Sequence, residues 1–405
     1  MKRIFLCFLI ILLVISVFGA GCMSTQEKTG TVPSVQETTR TITDSRGVQV
    51  TVPKNITRVV TVSDAMIEGT MTALGVDDKI IGIGSSCIPQ DFTYSYPLDN
   101  GGFTNGSGGR DIAKVLSPNV AGMPAVIKSG TAMNYESLAG LKPDVVILRI
   151  GDCALQKKDD EKTPQTIKRI ESLGIPVVVL YSPNCYDQPN PKQISDEIRV
   201  LGRLFEKEEK AERIAQYLES LLAFVQNRTK DIPDSQKQTV ISLGLSPQIR
   251  AQGGAGNVHG LKTTESYIIE DIVNAKNAYR SEGRLLVNTE QLLLMNPDAI
   301  VLCTSMGYHP PGELYNATYY KPLRYLNAVK NKRVSALPWS PCNCAMRLEY
   351  PIDVMVIAKT AYPDRFSDVK LDEWLLEFYK NVYGVNEEKA KELRTAQWMD
   401  WTVEV

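Results

Sequence analysis

From residue 41 to the C-terminus, short β-branched runs alternate with segments whose apolar residues recur at helical spacing. Ile42, Val48, Val50 and Val52 are set around Arg46-Gly47, a pattern that predicts a β-hairpin. RVVTV then reads as a buried strand, residues 64–74 as a helix closed by Gly75, and IIGIG as the next strand. DNGGFTNGSGGRD reads as a glycine-rich loop, TPQTIKRIESLG as a helix and IPVVVLYSP as a strand. In residues 207–229, Ala211, Ile214, Ala215, Leu218, Leu221, Leu222 and Val225 form one apolar stripe, predicting a helix of about 35 Å. QTVISLGL opens a second series of strands, followed by a helix over ESYIIEDIVNAKNA. Beyond RVSALPWSP lie three helices near 346–361, 371–383 and 386–397.

One phrase occurs twice. NYESLAGLKPDVVIL and NTEQLLLMNPDAIVL lie 154 residues apart and match at Asn134/Asn288, Glu136/Glu290, Leu138/Leu292, Pro143/Pro297 and Asp144/Asp298. Each copy predicts a helix with Asn at its N-cap and Glu in its first turn. Pro stops the helix, and a strand covered on both faces follows. The separation is far beyond the 20–50 residue period of a solenoid. Two similar α/β lobes are expected, joined by the long helix: a doubly wound fold with a ligand cleft between the lobes. The expected segments are 1–21, 22–40 (a polar tether), 41–206 (first lobe), 207–230 (linking helix) and 231–405 (second lobe with the C-terminal helices).

Composition changes the picture only at the N-terminus. The chain has 405 residues and a net charge of −1, and it carries no block of Lys or Arg, which argues against a nucleic-acid partner. Lys2 and Arg3 precede an apolar run over residues 4–18 and then GAGC, the pattern of a signal peptide. GAGC resembles a lipobox, although Gly19 stands where Leu is usual; this implies that Cys22 becomes the lipidated mature N-terminus. The six cysteines after Cys22 allow fifteen pairings, among which the sequence does not choose; Cys153 and Cys185 both follow predicted strands, and a bridge between their loops is one of them.

In this order the motifs resemble the substrate-binding lipoproteins of ABC importers for iron-siderophore, haem and cobalamin. The resemblance rests on TDSRGVQVTVPKNITRVV, the paired E-x-L…PD units, the midchain helix, KPLRYLNAVKNKRVSALPW, YPIDVMVIAKTAYPDRF and EFYKNVYG, and spans residues 41 to about 385. It implies a monomeric carrier on the outer face of the cell membrane, held there by lipid. Such a carrier has no cofactor of its own. Its ligand would be an iron chelate, haem or corrinoid, and its partner a permease dimer with a cytoplasmic ATPase. It also implies that Glu136 and Glu290, one per lobe, dock on the permease.

Open α/β sheets bind ligands at loops after strand C-termini. Those loops supply Met66, Arg149, Tyr181, Tyr186, His259, Lys262, Tyr308, His309, Trp339 and Arg347 as ligand-binding candidates. Aromatic walls suit a planar or chelated ligand, cations suit an anionic one, and His309 is the candidate metal ligand. A metal-dependent extracellular enzyme is the rival reading, and a structural surface lipoprotein another. The sequence has no HExxH, GxSxG, P-loop or EF-hand motif, and two histidines make a clustered metal centre hard to build.

Overall fold

The computed structural model describes residues 38–85, 87–127, 132–152, 155, 162–244, 250, 256–304, 307–340 and 346–403, and the expectations for residues 1–37, Cys22 included, lie outside them. From Thr38 onward the chain is one compact unit. It opens with a hairpin of β1 (Thr39–Thr43) and β2 (Gln49–Pro53), with Ile42 opposite Val50. β3 (Val59–Val62), α1 (Met66–Leu74) and β4 (Ile80–Ile83) follow, then β5 (Asp91–Pro97), β6 (Phe103–Arg110) and α2 (Ile112–Leu116). The first copy of the repeat is α3 (Tyr135–Leu141) and β7 (Val145–Ile150); α4 (Lys162–Glu171) and β8 (Val177–Tyr181) come after it. β4-β3-β7-β8 is a parallel sheet, and its strands are apolar on both faces because helices cover both.

α5 (Gln193–Phe205) and α6 (Glu208–Thr229) lie between the two sheets in sequence. They pack closely because Gly202 has no Cβ; one there would sit 2.4 Å from the Ala211 Cβ. α6 buries Ala211, Ile214, Ala215, Leu218, Leu222 and Val225, the stripe read from the sequence. The second sheet contains β9 (Thr239–Gly244), β10 (Gly256–His259), β11 (Lys276–Asn277) and β12 (Arg284–Val287). The second copy follows as α7 (Thr289–Met295) and β13 (Ala299–Leu302), then β14 (Val334–Ala336). Its order is β12-β10-β9-β13-β14, with β11 also on β9; β9, β11, β13 and β14 are parallel, β10 and β12 antiparallel. α8 (Tyr350–Ala361), α9 (Leu371–Tyr383) and α10 (Glu387–Ala396) close the chain.

The repeated words do the same work twice. Asn134 accepts from the Ser137 N–H and Asn288 from the Gln291 N–H, each capping its helix. Asp144 Oδ2 accepts from the N–H groups of Thr57 and Arg58 at 2.7 and 2.9 Å, fixing the entry to β3. Asp298 Oδ2 accepts from the Thr239 N–H and hydroxyl at 2.8 and 2.7 Å, fixing the entry to β9. The Pro-Asp pair thus ends a helix and aligns the central strand beside the one it starts.

Two expected elements differ. The glycine-rich stretch is a strand: β6 pairs antiparallel with β5. Its glycines make room for rings, since a Cβ on Gly106 would lie 2.0 Å from Tyr94 and one on Gly109 2.6 Å from Trp398. The helix expected over 265–278 is one α-turn and one π-turn (Ile268–Ile272), after which Lys276 and Asn277 join β9. Asn274 ends it in a left-handed conformation, with its side-chain amide donating to the carbonyls of Thr229 and Ile232.

The lobes also exchange elements. The β5–β6 hairpin leaves the first lobe and packs Phe92, Tyr94 and Tyr96 into the second lobe's core. In return, α9 and α10, expected wholly in the second lobe, pack on α1, α2 and β6.

Candidate ligand site between the two lobes

The loops after β3 and β7 and the segment entering α8 meet at a seam between the sheets, and most charges there are compensated by the protein itself. Arg149, at the end of β7, is fully buried and gives Glu197 of α5 a bidentate pair at 2.6 and 2.8 Å. It is therefore committed to the interior rather than offered to a ligand. Arg347 pairs with Asp111, tying the entry to α8 to the N-cap of α2. Lys262 sits on the surface with Glu282, 2.7 Å away, in a solvated pair. Met66 is buried in the core at the start of α1.

Behind the β3 loop, Glu68 is fully buried. Its two carboxyl oxygens accept from the hydroxyls of Thr61 and Ser63, each at 2.5 Å. Burial pushes its pKa up to about 7 against the pull of those donors. Ser63 Oγ also accepts from the Ile67 N–H, so one hydroxyl links the carboxyl to the start of α1. The Asp64 N–H donates to Asp152 Oδ2 at 3.1 Å, joining the β3 and β7 loops. In the second lobe, burial raises the Asp353 carboxyl on α8 well above the ordinary range, with Glu265, Glu349 and Cys303 adding to the effect.

The expected aromatic wall divides. Tyr308 and Trp339 are both buried, in a ring cluster that joins the lobes. Phe92 meets Trp339 edge-on at 4.7 Å, Tyr94 meets Trp398 at 4.9 Å, and Trp398 lies 4.7 and 5.2 Å from Tyr308 and Trp339. The Tyr308 hydroxyl donates to the Trp398 carbonyl at 2.6 Å. These two rings are therefore inter-lobe packing. Tyr181 is half-buried at the end of β8 and Tyr186 is exposed, so that loop keeps its aromatic character.

Both histidines are buried, in different surroundings. His309 Nδ1 lies 2.8 Å from Arg250 Nη1, and a guanidinium only donates, so Nδ1 accepts and the proton sits on Nε2. Arg250 also pairs with Glu313, which accepts from the Tyr319 hydroxyl. A fixed positive charge at its ring nitrogen argues against His309 as a metal ligand. His259 has Glu265 at 2.7 Å from Nδ1 and Cys303 Sγ at 3.9 Å from Nε2. Burial pulls its pKa down, but Glu265 and Cys303 outweigh that and hold it at about 10. Among the described residues no three His, Cys, Asp or Glu side chains gather to hold a metal ion.

Cys185 is a thiol whose Sγ–H donates to the Ile150 carbonyl at 3.2 Å, and Cys153, the other cysteine of that candidate bridge, lies outside the described residues; Cys87 is disulfide-bonded. Glu136 and Glu290 stand exposed in the first turns of α3 and α7, and among the described residues neither has an ion-pair partner. No described helix is long and apolar enough to cross a membrane. Sequence reasoning missed Glu197, Asp111, Glu68, Asp353 and Cys303 as constituents of the seam. For Cys303 a signal existed: it aligns with Arg149 in the repeat.

The fold has known counterparts. The periplasmic solute-binding protein of Veillonella parvula superposes with a TM-score of 0.68 at 22% identity, covering 90% of this chain and 98% of that one. The molybdate-bound MolA structure from Haemophilus influenzae gives 0.62 at 20% identity, covering 86% and 98%. In sequence, an uncharacterized ABC transporter substrate-binding lipoprotein of Bacillus subtilis, YvrC, is 24% identical over 331 residues, covering 81% of this chain and 87% of its own. The molybdate-binding protein MolA of Haemophilus influenzae is 23% identical over 366 residues, covering 85% and 91%. With the periplasmic binding protein family model matching residues 69–340, the chain belongs to that family, whose members bind solutes for transport and are not enzymes.

Proposed function

We propose that this chain is the extracytoplasmic substrate-binding component of an ABC importer, tethered through lipid on Cys22. It holds a metal-bearing solute between its lobes and delivers it to a permease dimer driven by a cytoplasmic ATPase. Glu136 and Glu290 occupy equivalent, exposed positions on the two lobes, which supports docking on a partner with two-fold symmetry. The relatives support a metal-bearing solute: MolA is a molybdate-binding protein, and proteins of similar fold include a nickel-bound one, a haem-binding one and one of an Fe3+-hydroxamate transport system.

The observation that carries the ligand class is the pairing at the seam. Arg149 and Arg347 each face a carboxylate of the chain itself, so a polyanionic ligand would have to break buried pairs to take either of these two guanidinium groups. A ferric chelate or corrinoid of low net charge fits that seam, with Tyr181 and Tyr186 as its aromatic contacts. Intrinsic tryptophan fluorescence tests this, because Trp339 and Trp398 lie against each other, tilted by 37°, where the lobes meet. The purified protein should give saturable quenching with a neutral ferric hydroxamate or cobalamin, without turnover. Saturation by molybdate alone would overturn the charge argument, and silence toward haem, Ni(II), molybdate and both chelates would overturn the reading itself.

A further inference from the structure

The outer faces of α3 and α7 carry the same charge in different surroundings. Both helices have seven residues and come from the same repeated phrase, so their positions correspond one to one. Glu136 corresponds to Glu290, and Gly140 corresponds to Leu294. Positions i and i+4 share a helix face, so each glutamate has a neighbour one turn on: a glycine in the first lobe and a leucine in the second. Gly140 is exposed, and a Cβ there would meet nothing within 4 Å. Leu294 is 85% exposed, more than any other large apolar side chain among the described residues.

The fold of the second lobe does not use Leu294. α7 holds to its core through Leu292, which is fully buried, with Leu293 and Met295 half-buried against the same cluster. The strand that leads into α7 is also bare. β12 is the outermost strand of its sheet, and Leu285 and Leu286 on it are both exposed, although successive residues of a strand face opposite ways. Proteins that work alone blunt such edges with charge or proline. Apolar side chains exposed beside charge, rather than scattered singly, mark an interaction surface.

We propose that Leu294 is an apolar docking anchor beside Glu290, so that the second lobe holds the permease through charge and apolar contact together and the first lobe through charge alone. This rests on the docking reading given above. The occupant is the permease subunit facing the second lobe, which presents an apolar hollow one helical turn from the cation that meets Glu290. A protein partner fits this face better than a lipid surface does, because an anionic membrane repels the carboxylate beside the leucine. A two-fold dimer offers the same hollow twice, and the copy facing the first lobe stands over Gly140 unfilled.

The affinity of the full-length protein for its permease–ATPase complex in nanodiscs tests this. Leu294→Gln and Leu294→Ala should each weaken binding about tenfold, the scale of one lost buried leucine contact. Their melting temperatures should match the wild type, because the side chain is exposed. Gly140→Leu should tighten binding, and Leu294→Ala with Gly140→Leu should recover most of the loss, since the second hollow then takes the leucine. High salt should shrink the effect of Glu290→Gln and leave that of Leu294→Gln in place. Wild-type affinity in both Leu294 variants, or no gain from Gly140→Leu, overturns the proposal, whatever these variants do to self-association or liposome binding. Charge reversal at Glu136 and Glu290 is the separate control on docking itself. If it abolishes binding while the Leu294 variants bind normally, only the leucine assignment falls. If neither change matters to a complex that the wild type binds, both readings fall.

Discussion

Glu68 offers a measurement in which two opposing effects are separated by pH. It is fully buried behind the β3 loop, and both oxygens accept short hydroxyl hydrogen bonds from Thr61 and Ser63. Those donors favour the carboxylate and burial favours the acid; burial wins, placing the pKa at about 7 against 4.5 for an exposed Glu. Between these values the folded state holds a proton that the unfolded chain has released. The stabilisation is therefore complete below about pH 4.5 and is lost as pH rises through about 7. At 1.36 kcal/mol per pKa unit, the loss is about 3 kcal/mol. Glu68→Gln keeps the shape and stays neutral at every pH. Urea unfolding at pH 4.5 and pH 8 should show wild type and variant within about 1 kcal/mol at low pH, with the variant gaining about 2–3 kcal/mol at pH 8. Parallel stability curves across that range would mean that the two hydroxyls keep Glu68 ionised, and the argument from burial would fail.

Other perturbations test the seam and the proposed docking. Glu197→Ala should destabilise by about 3–5 kcal/mol in denaturant titration, because it strands a buried guanidinium, whereas Arg149→Met with Glu197→Leu should recover most of that loss. Gly109→Val should lower stability by about 1–3 kcal/mol and expose the β5–β6 hairpin to limited proteolysis, since its side chain would collide with Trp398 and Trp339. Glu136→Arg with Glu290→Arg should leave ligand affinity and melting temperature nearly unchanged while abolishing uptake in a reconstituted transporter. Uptake at the normal rate would leave those glutamates only their first-turn role, worth about 0.3–1 kcal/mol each.

What the sequence revealed was whatever repeats or has a period. The duplicated Asn…Pro-Asp phrase located both helix caps and both buried strands, and the stripe on α6 located the long helix. What it hid depends on partners remote in the chain. Arg149 and Arg347 looked like ligand anchors because Glu197 lies 48 residues from one and Asp111 lies 236 from the other. Tyr308 and Trp339 looked like a cleft wall because the hairpin that covers them was read as a loop. That misreading has a physical cause: glycine carries no strand signal, and here its missing side chain is what admits the rings of Tyr94 and Trp398.

The exchanged elements bear on how such a protein releases what it holds. Swinging the lobes apart would pull the β5–β6 hairpin off the second lobe, separating Phe92 from Trp339 and Tyr94 from Trp398. Each ring pair contributes about 0.5–1.5 kcal/mol beyond the area it buries. The same motion would part Arg347 from Asp111, Arg324 from Asp99 and the Trp398 indole N–H from the Ser107 carbonyl. On the other side, α9 and α10 hold the second half of the chain against α1, α2 and β6. Wide opening therefore breaks contacts on two sides together, and solvent alone does not replace buried ring packing. Solute exchange that proceeds through the loops, with the lobes nearly fixed, avoids those losses. Delivery would then depend on what a partner does to the loops after β3, β7 and β8, and the proposed anchors, one on each lobe, would let a partner apply that strain across the seam.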